Sequence, residues 1–305
     1  MNDEEIAGVT ELARAAALAD GHAPLGEHKW LDLVQGGRAG FAGFLAREAD
    51  NDQILGYAQL LKGPSSWAVE YVVRPERRGE DDLIGQSLLA AALAEVARQG
   101  GGHVHLWVPK PTAAHERIAA ALGLRRGREL LQLRRRLPLE DALLAKAEAD
   151  VRTFRVGTDE AAWVELNAKA FAGHPEQGGW ELETLLDREA QPWFDPQGFL
   201  LRTHEGALDA FCWTKVHEEE RLGEIYVIGV DPGRQGLGLG ASMLAAGLAY
   251  LGGRGLPTAM LYVDADNAAA NRLYESFGFT VDHHDRAYVI DVAGEAGEAN
   301  VVGEQ

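Results

Sequence analysis

Apolar and polar stretches follow one another in the same order in both halves of the chain. In the second half, the largely apolar segment 223–230 predicts a strand, which runs into a Gly-rich loop. A helix is predicted from about Ala241, a second strand at 259–263, and a further helix that ends at Ser276. Strands that alternate with helices indicate an α/β fold.

The first half repeats this order, with strands predicted at 66–73 and 103–108 and a helix from Gly85. Pro75 and Pro232 lie 157 positions apart, whereas Gly123 and Gly278 lie 155 apart. The first half therefore carries two extra residues in the loop after its first strand. A repeat of this kind predicts two related domains in tandem.

The length of 305 residues also fits two domains. We expect them at 1–140 and 151–292, joined by a polar, Ala-rich connector. Residues 293–305 are rich in Gly and Glu and lack a hydrophobic period, so they are expected to form a disordered tail.

Composition excludes several classes of function. A net charge of -18 argues against a nucleic-acid partner, which needs a basic face. No stretch approaches the ~18 apolar residues of a membrane span, and the first residues lack the pattern of a secretory signal, so we expect a cytoplasmic protein without membrane contact. The single cysteine, Cys212, and one adjacent pair of histidines give no complete ligand set, so no metal is expected.

The segment Gln235–Gly240, with the sequence QGLGLG, lies between a predicted strand and a predicted helix. Glycines there allow a tight turn and expose amide donors at the positive end of the helix, which suits a pyrophosphate. An ordinary Gly-rich turn has the same composition. The loop fits neither the dinucleotide-binding G-x-G-x-x-G pattern nor a P-loop that ends in Gly-Lys-Ser/Thr.

This loop and a later segment together resemble two motifs of the GCN5-related N-acetyltransferases. The segments are 230–240, VDPGRQGLGLG, and 266–279, DNAAANRLYESFGF. The resemblance implies a mixed central sheet flanked by helices in each of the two domains, with acetyl-CoA as co-substrate. It implies that the loop amides hold the pyrophosphate and that a bulged strand accepts the pantetheine arm. The implied acetyl-CoA contacts are Ile228, Gly229, Val230, Gln235, Gly236, Leu237, Gly238, Leu239, Gly240, Ala241, Asn267, Ala268, Ala269, Ala270, Asn271 and Arg272, with Tyr71, Val72 and Val73 in the first half.

The first half departs from these motifs. Its loop, 77–85, reads RRGEDDLIG and places three consecutive carboxylates where a pyrophosphate would rest. By the offsets above, Trp67 and Ala119 stand at the positions of Glu224 and Tyr274. We therefore expect a degenerate, non-catalytic first domain, and the sequence leaves open whether it still binds acetyl-CoA.

A narrower resemblance covers nearly the whole chain except the tail. Residues 23–27, 170–180, 193–196, 213–217 and 223–227 are similar to segments of the mycothiol synthase family. That family transfers acetyl from acetyl-CoA to the cysteinyl amine of 1-(cysteinylamino)-glucosaminyl-inositol, which gives mycothiol. The resemblance implies this small-molecule substrate, and it implies substrate contacts by Glu27, Glu176, Lys215, Glu224 and Tyr262.

Acetyl transfer to an amine needs a base for the amine, a stabilised carbonyl oxygen and an acid for the leaving thiolate. An α-amine has a pKa of about 7.7–8.0, so a modest base is enough. Glu224 lies where the family often places its base, and the phenol of Tyr274, on the helix after the loop, is the candidate acid. Each has a plain structural alternative, a surface carboxylate for Glu224 and packing against Phe277 for Tyr274.

Two other functions stay open at this point. One is an acetyltransferase for a different amine, such as an aminoglycoside or a protein N-terminus. The other is a non-catalytic acyl-CoA sensor, although a sensor would not need both Glu224 and Tyr274. We expect the protein to act as a monomer.

Overall fold

The computed structural model describes residues 1–26, 30, 33, 40–63, 66–79, 82–147, 150–174 and 177–295. Its helices are α1 (Asp3–Asp20), α2 (Leu83–Arg98), α3 (Ala113–Ala121), α4 (Asp141–Leu144), α5 (Glu160–Ala170), α6 (Leu182–Glu189), α7 (Leu239–Gly253) and α8 (Ala268–Ser276). Its strands are β1 (Phe41–Arg47), β2 (Ile54–Lys62), β3 (Trp67–Val73), β4 (Gly101–Pro109), β5 (Arg125–Arg136), β6 (Val151–Thr153), β7 (Phe199–His204), β8 (Ala207–His217), β9 (Leu222–Val230), β10 (Thr258–Asp264) and β11 (Thr280–Ala293). The chain divides into two compact units, Met1–Glu129 with His284–Gln305, and Leu130–His283.

The first unit contains a mixed sheet in the order β1-β2-β3-β4-β11. Strands β3 and β4 are parallel, and the other neighbours in this sheet are antiparallel. Helix α2 covers one face, where Leu89 packs with Leu60 and Val69. Helix α1 covers the other face, where Leu12 packs with Tyr57.

The second unit contains a mixed sheet in the order β5-β10-β9-β8-β7-β6. Strands β9 and β10 are parallel, and the other neighbours are antiparallel. Helices α7 and α8 cover one face through Leu248 and Phe277. Helices α5 and α6 cover the other face, where Trp163 and Leu185 pack with Trp213. Each unit is therefore a mixed sheet between helices, which confirms the predicted fold class.

The last strands of the two halves of the sequence, β5 and β11, are exchanged in part between the two sheets. Residues 130–136 of β5 pair with β10, and residues 285–293 of β11 pair with β4. The compact units therefore differ from the continuous ranges 1–140 and 151–292 expected from the sequence repeat. Ala293, at the start of the expected tail, pairs with Gly101, whereas residues 296–305 lie outside the described part of the chain.

Across the ranges that the structure describes, no helix combines the length and the hydropathy needed to cross a membrane.

Candidate active site

Strands β9 and β10 are paired only where they begin. The parallel register runs from Leu222, opposite Thr258, to Glu224, opposite Met260, although both strands continue well beyond it. On its other side, β9 stays paired with β8 as far as Val230. The sheet therefore opens into a slot after Glu224, and the edge of β9 that faces this slot is not paired with β10.

A β-bulge lies in β9 at the start of this slot. Trp213 of β8 pairs with Val227, and the next residue of β8, Thr214, pairs with Ile225, so Tyr226 is an extra residue. A bulge bends its strand and redirects the backbone groups that follow it. Ile228, Gly229 and Val230, the predicted contacts to the acyl-CoA arm, lie beyond the bulge along the open edge.

The glycine loop, Gln235–Gly240, follows β9 and runs into the first turn of α7. Gly236 and Gly238 have φ values of +80° and +82°, a left-handed backbone that side chains with a Cβ rarely adopt. Gly238 is also the N-cap of α7 and, as a glycine, brings no side chain to the helix end. The first amides of a helix have no acceptor within it, so those of Leu239, Gly240 and Ala241 are donors at the positive end of α7. Gln235 and the exposed Leu237 complete the loop.

The start of α8 is held by two asparagines. Asn267 is its N-cap, and the side-chain oxygen accepts a hydrogen bond from the amide of Ala270 at 3.1 Å. Asn271 donates to the carbonyls of Asp264 and Ala265 at 3.1 and 3.2 Å, which ties the helix to the end of β10. Among the described residues, Asn271 Oδ1 is a buried oxygen without a hydrogen-bond partner.

The other residues expected from this helix also lie in its first turns. Ala268, Ala269 and Ala270 form the first turn, and Arg272 is exposed. Asn267 thus has a structural role, whereas the side-chain oxygen of Asn271 is buried and has no hydrogen-bond partner among the described residues.

Glu224 lies on the face of β9 opposite α7 and is only 8% exposed. Its Oε2 lies 2.8 Å from Nε2 of His217 on the neighbouring strand. Lys215 is directly opposite Glu224, and its Nζ lies 4.4 Å from the centroid of the Trp193 ring and 5.6 Å from that of Tyr226. Residues two apart on a strand share a face, so Lys215 and His217 flank the carboxylate together.

Tyr262 occupies the same face of the sheet on β10. Met260 is in register with Glu224, and Tyr262 follows two residues later, with 42% of its surface exposed. Gln132 Nε2 donates to the Tyr262 hydroxyl at 2.7 Å, and Arg134 Nε donates to Gln132 Oε1 at 2.8 Å. Because an arginine can only donate, Gln132 must accept from Arg134 through Oε1. Its amide nitrogen therefore donates to the hydroxyl of Tyr262.

Tyr274 lies on the other side of the sheet, in the core formed with α7. Its ring meets that of Phe279 edge-on at 5.9 Å. Burial, together with the nearby thiol of Cys212, raises the pKa of the Tyr274 phenol well above its ordinary value, so the hydroxyl remains protonated and can donate. Glu224 and Tyr274 therefore lie on opposite faces of the sheet in which the slot opens.

Two predicted substrate residues, Glu27 and Glu176, lie outside the described part of the chain. Next to the second of them, His174 Nε2 is 3.7 Å from Asp264 Oδ2. Asp264 follows Tyr262 by two residues on β10, so His174 borders the same face as Tyr262. The structure thus places Lys215, Glu224 and Tyr262, three of the predicted substrate residues, on one face of the sheet.

Sequence reasoning missed His217, Gln132 and Arg134 as neighbours of these residues. Lys215 and His217 are two positions apart on one strand, which places both side chains on the same face and could have pointed to the histidine. Gln132 and Arg134 gave no such signal, because their place beside Tyr262 depends on the pairing of β5 with β10.

The first unit has a similar opening between its parallel strands. Here too the parallel strands β3 and β4 pair only as far as Val69, opposite Leu106. Tyr71, Val72 and Val73 follow and line a cavity of about 340 Å³.

However, helix α2 begins with the N-cap Asp82, whose carboxylate accepts from the amide of Gly85 at 3.1 Å. Burial raises the pKa of Asp82 above its ordinary value. The nearby Arg78 donates to the carboxylate of Asp20 at 2.6 and 2.9 Å. The chain itself thus supplies a carboxylate at the place where the second unit leaves its amides open.

Within the described residues, no group of three or more His, Cys, Asp or Glu side chains could hold a metal ion. Cys212 is fully buried, and burial raises the pKa of its thiol to about 12. This thiol is therefore part of the core and is not a nucleophile.

Comparison with known proteins places these features in a family. The sequence profile of the Acetyltransferase (GNAT) family matches residues 161–279. The chain is 45% identical over 284 residues to the mycothiol acetyltransferase of Acidimicrobium ferrooxidans, covering 91% of each chain. It is 48% identical over 282 residues to that of Thermobispora bispora, covering 89% of this chain and 91% of the relative.

Solved structures show the same fold. A GCN5-related N-acetyltransferase from Sphaerobacter thermophilus aligns with a TM-score of 0.70 at 23% identity, over 95% of this chain and 93% of the other. A tandem GNAT protein from the clavulanic acid biosynthesis pathway aligns with a TM-score of 0.69 at 16% identity, over 97% of both chains. The predicted tandem fold and the predicted family are confirmed: the chain belongs to the mycothiol acetyltransferase family of GCN5-related N-acetyltransferases.

Proposed function

We propose that this chain transfers the acetyl group of acetyl-CoA to the cysteinyl amine of 1-(cysteinylamino)-glucosaminyl-inositol, which gives mycothiol and CoA. The observation that carries this proposal is the identity of 45–48% to two mycothiol acetyltransferases over about nine-tenths of the chain. The geometry supports it, because a slot in the sheet separates a buried carboxylate on one face from a protonated phenol on the other.

Acetyl-CoA would bind along the open edge of β9 and across the start of α7. The amides of the glycine loop and of the first turn of α7 suit the pyrophosphate, since they are donors at the positive end of a helix. The open edge after the bulge offers backbone groups to the pantetheine arm. Local donors outweigh the net charge of -18, because salt screens charges beyond a Debye length of ~8 Å.

Glu224 would act as the base, directly or through a water. In the reaction the amine nitrogen attacks the thioester carbon, its proton passes to Glu224, and the C–S bond breaks. Tyr274 would donate its proton towards the departing sulfur. A direct transfer of this kind needs no covalent enzyme intermediate.

Lys215, Tyr262, Glu27 and Glu176 are proposed to bind the sugar–inositol part of the substrate. Lys215 and Tyr262 flank Glu224 on one face of the sheet, and hydroxyl-rich groups are bound by such donors and acceptors.

The first unit is proposed to be non-catalytic. Trp67 and Ala119, at the positions that correspond to the base and the acid, are both buried apolar residues. Its helix α2, which follows β3, is capped by Asp82 rather than by a glycine. Both differences remove chemistry that the second unit retains.

The test is acetyl-CoA turnover by the purified chain with a set of matched amines. We expect CoA release with cysteinyl-glucosaminyl-inositol and none with glucosaminyl-inositol, which lacks the cysteinyl group. Aminoglycosides and peptides with a free N-terminus complete the set. Turnover with one of these and not with the cysteinyl conjugate would assign a different acetyltransferase, and acetyl-CoA binding without any turnover would assign a sensor.

A further inference from the structure

Glu224 is not alone on its face of β9. The side chain of Glu224 is 11% exposed and that of His217 is 27% exposed, with 2.8 Å between Oε2 and Nε2. His217 pairs with Leu222 and Lys215 pairs with Glu224, so the histidine and the carboxylate are diagonal neighbours across β8 and β9. Diagonal neighbours on one face of an antiparallel pair are within reach of long side chains.

The direction of this hydrogen bond follows from the chemistry of the two groups. An ionised carboxylate can only accept, so the hydrogen must be on Nε2 of His217. Oε2 of Glu224 is then taken by the histidine, and Oε1 is the oxygen that receives a proton from elsewhere. Hydrogen bonds to a charged acceptor are stronger than neutral ones, so the bond can hold the carboxylate in one rotamer.

We propose that His217 is a positioning residue, which holds Glu224 through Nε2–H so that Oε1 receives the proton of the attacking amine. The inference rests on the proposed function, since it assigns a partner to the proposed base. Lys215 also lies beside this carboxylate, and its ammonium lies over the rings of Trp193 and Tyr226. The structure shows a hydrogen bond to Glu224 from His217.

The test is a set of His217 variants, each made with and without Glu224→Gln. His217→Ala is expected to lower kcat by about 10- to 100-fold with a small change in KM, because a misplaced base costs rate at the chemical step. His217→Gln should recover much of this loss, since its amide nitrogen reaches to where Nε2 lies. His217→Asn is the matched control, because its shorter amide does not reach Glu224.

In the Glu224→Gln background, His217→Ala should cause no further loss, because the histidine acts through the carboxylate. An equal loss in both backgrounds would overturn the proposal, and so would wild-type kcat in His217→Ala. Should His217→Ala not fold, the Gln and Asn variants decide, and equal activities in those two would count against it.

A second measurement separates this inference from the proposed function. Nitrogen NMR of the His217 ring in the wild-type chain requires no substrate, and we expect the hydrogen on Nε2. A hydrogen on Nδ1 alone would overturn the positioning role. Failure of the wild-type chain to acetylate the cysteinyl conjugate would instead overturn the proposed function.

Discussion

Substitution of Gly238 by alanine tests whether the glycine loop holds acetyl-CoA. Gly238 has a φ of +82° at the N-cap of α7, and a Cβ built there meets nothing within 4 Å. The change therefore adds no clash and acts only through the backbone. A left-handed conformation costs an L-residue about 1–2 kcal/mol.

This strain has a calculable effect on affinity. If the variant loop relaxes into another conformation, the binding-competent fraction falls, and the apparent Kd rises by the same factor, about 5- to 30-fold for 1–2 kcal/mol. A loop that relaxes in this way relieves the strain in the free protein, and the new methyl group meets no neighbour within 4 Å, so the free energy of unfolding should fall by less than this strain. We thus expect a loss of acetyl-CoA affinity without a matching loss in Tm.

Calorimetric titration of acetyl-CoA measures the effect, and Gly255→Ala is its matched control. Gly255 lies just beyond the other end of α7, has a φ of +73°, and also has nothing within 4 Å of a built Cβ. It imposes the same kind of strain away from the loop, so its Kd should equal that of the wild type. An unchanged Kd in Gly238→Ala, or the same rise in both variants, would refute the reasoning.

Four further predictions concern the second unit's chemistry, the first unit and stability. Glu224→Gln should lower kcat/KM by about 10²–10⁴, and the loss should shrink as pH rises because more of the amine is then neutral; a wild-type pH–rate profile would remove Glu224 from the mechanism. Tyr274→Phe should lower kcat while acetyl-CoA affinity is kept, and the reverse pattern would make it a binding residue. Calorimetry should find one acetyl-CoA per chain, because Asp82 caps α2, and two sites of similar affinity would contradict this. Burial and the neighbouring Glu160 raise the pKa of Glu189 to about 7. The pKa of a glutamate in the unfolded chain is about 4, so the Glu189 charge destabilises the fold increasingly as pH rises from about 4 through 7. Glu189→Gln should therefore raise Tm at about pH 8 and not at about pH 4. A Tm difference that does not depend on pH would contradict this.

Local pattern was enough to predict the elements around the site. The strand predicted at 223–230 corresponds to β9 (Leu222–Val230), and the helix predicted to end at Ser276 corresponds to α8. Both stand out because apolar runs are bounded by glycine or by turn residues. Strand β5 was not predicted, since RRGRELLQLRRR shows little apolar alternation and owes its conformation to pairing.

The chemistry of the site was predictable only in part, for a related reason. Glu224, Lys215 and Tyr262 came from a resemblance in sequence, and the pairing of β8, β9 and β10 puts them on one face. The contacts that orient them depend on register, which one bulge at Tyr226 shifts by a residue. A one-dimensional pattern does not contain that register, so the link from His217 to Glu224 emerges only from the fold.

The two helix N-caps differ in whether they bring a side chain to the helix end. Asp82 and Gly238 both have positive φ, +36° and +82°, at the start of the helix that follows a diverging parallel strand. Asp82 satisfies the amide of Gly85 from within the chain, and such a cap stabilises a helix by about 1 kcal/mol. Gly238 forgoes that stabilisation and leaves the first amides of α7 without a side-chain cap. If acetyl-CoA binds there, part of its binding energy restores what the glycine cap omits, whereas in the first unit Asp82 already satisfies the amide of Gly85.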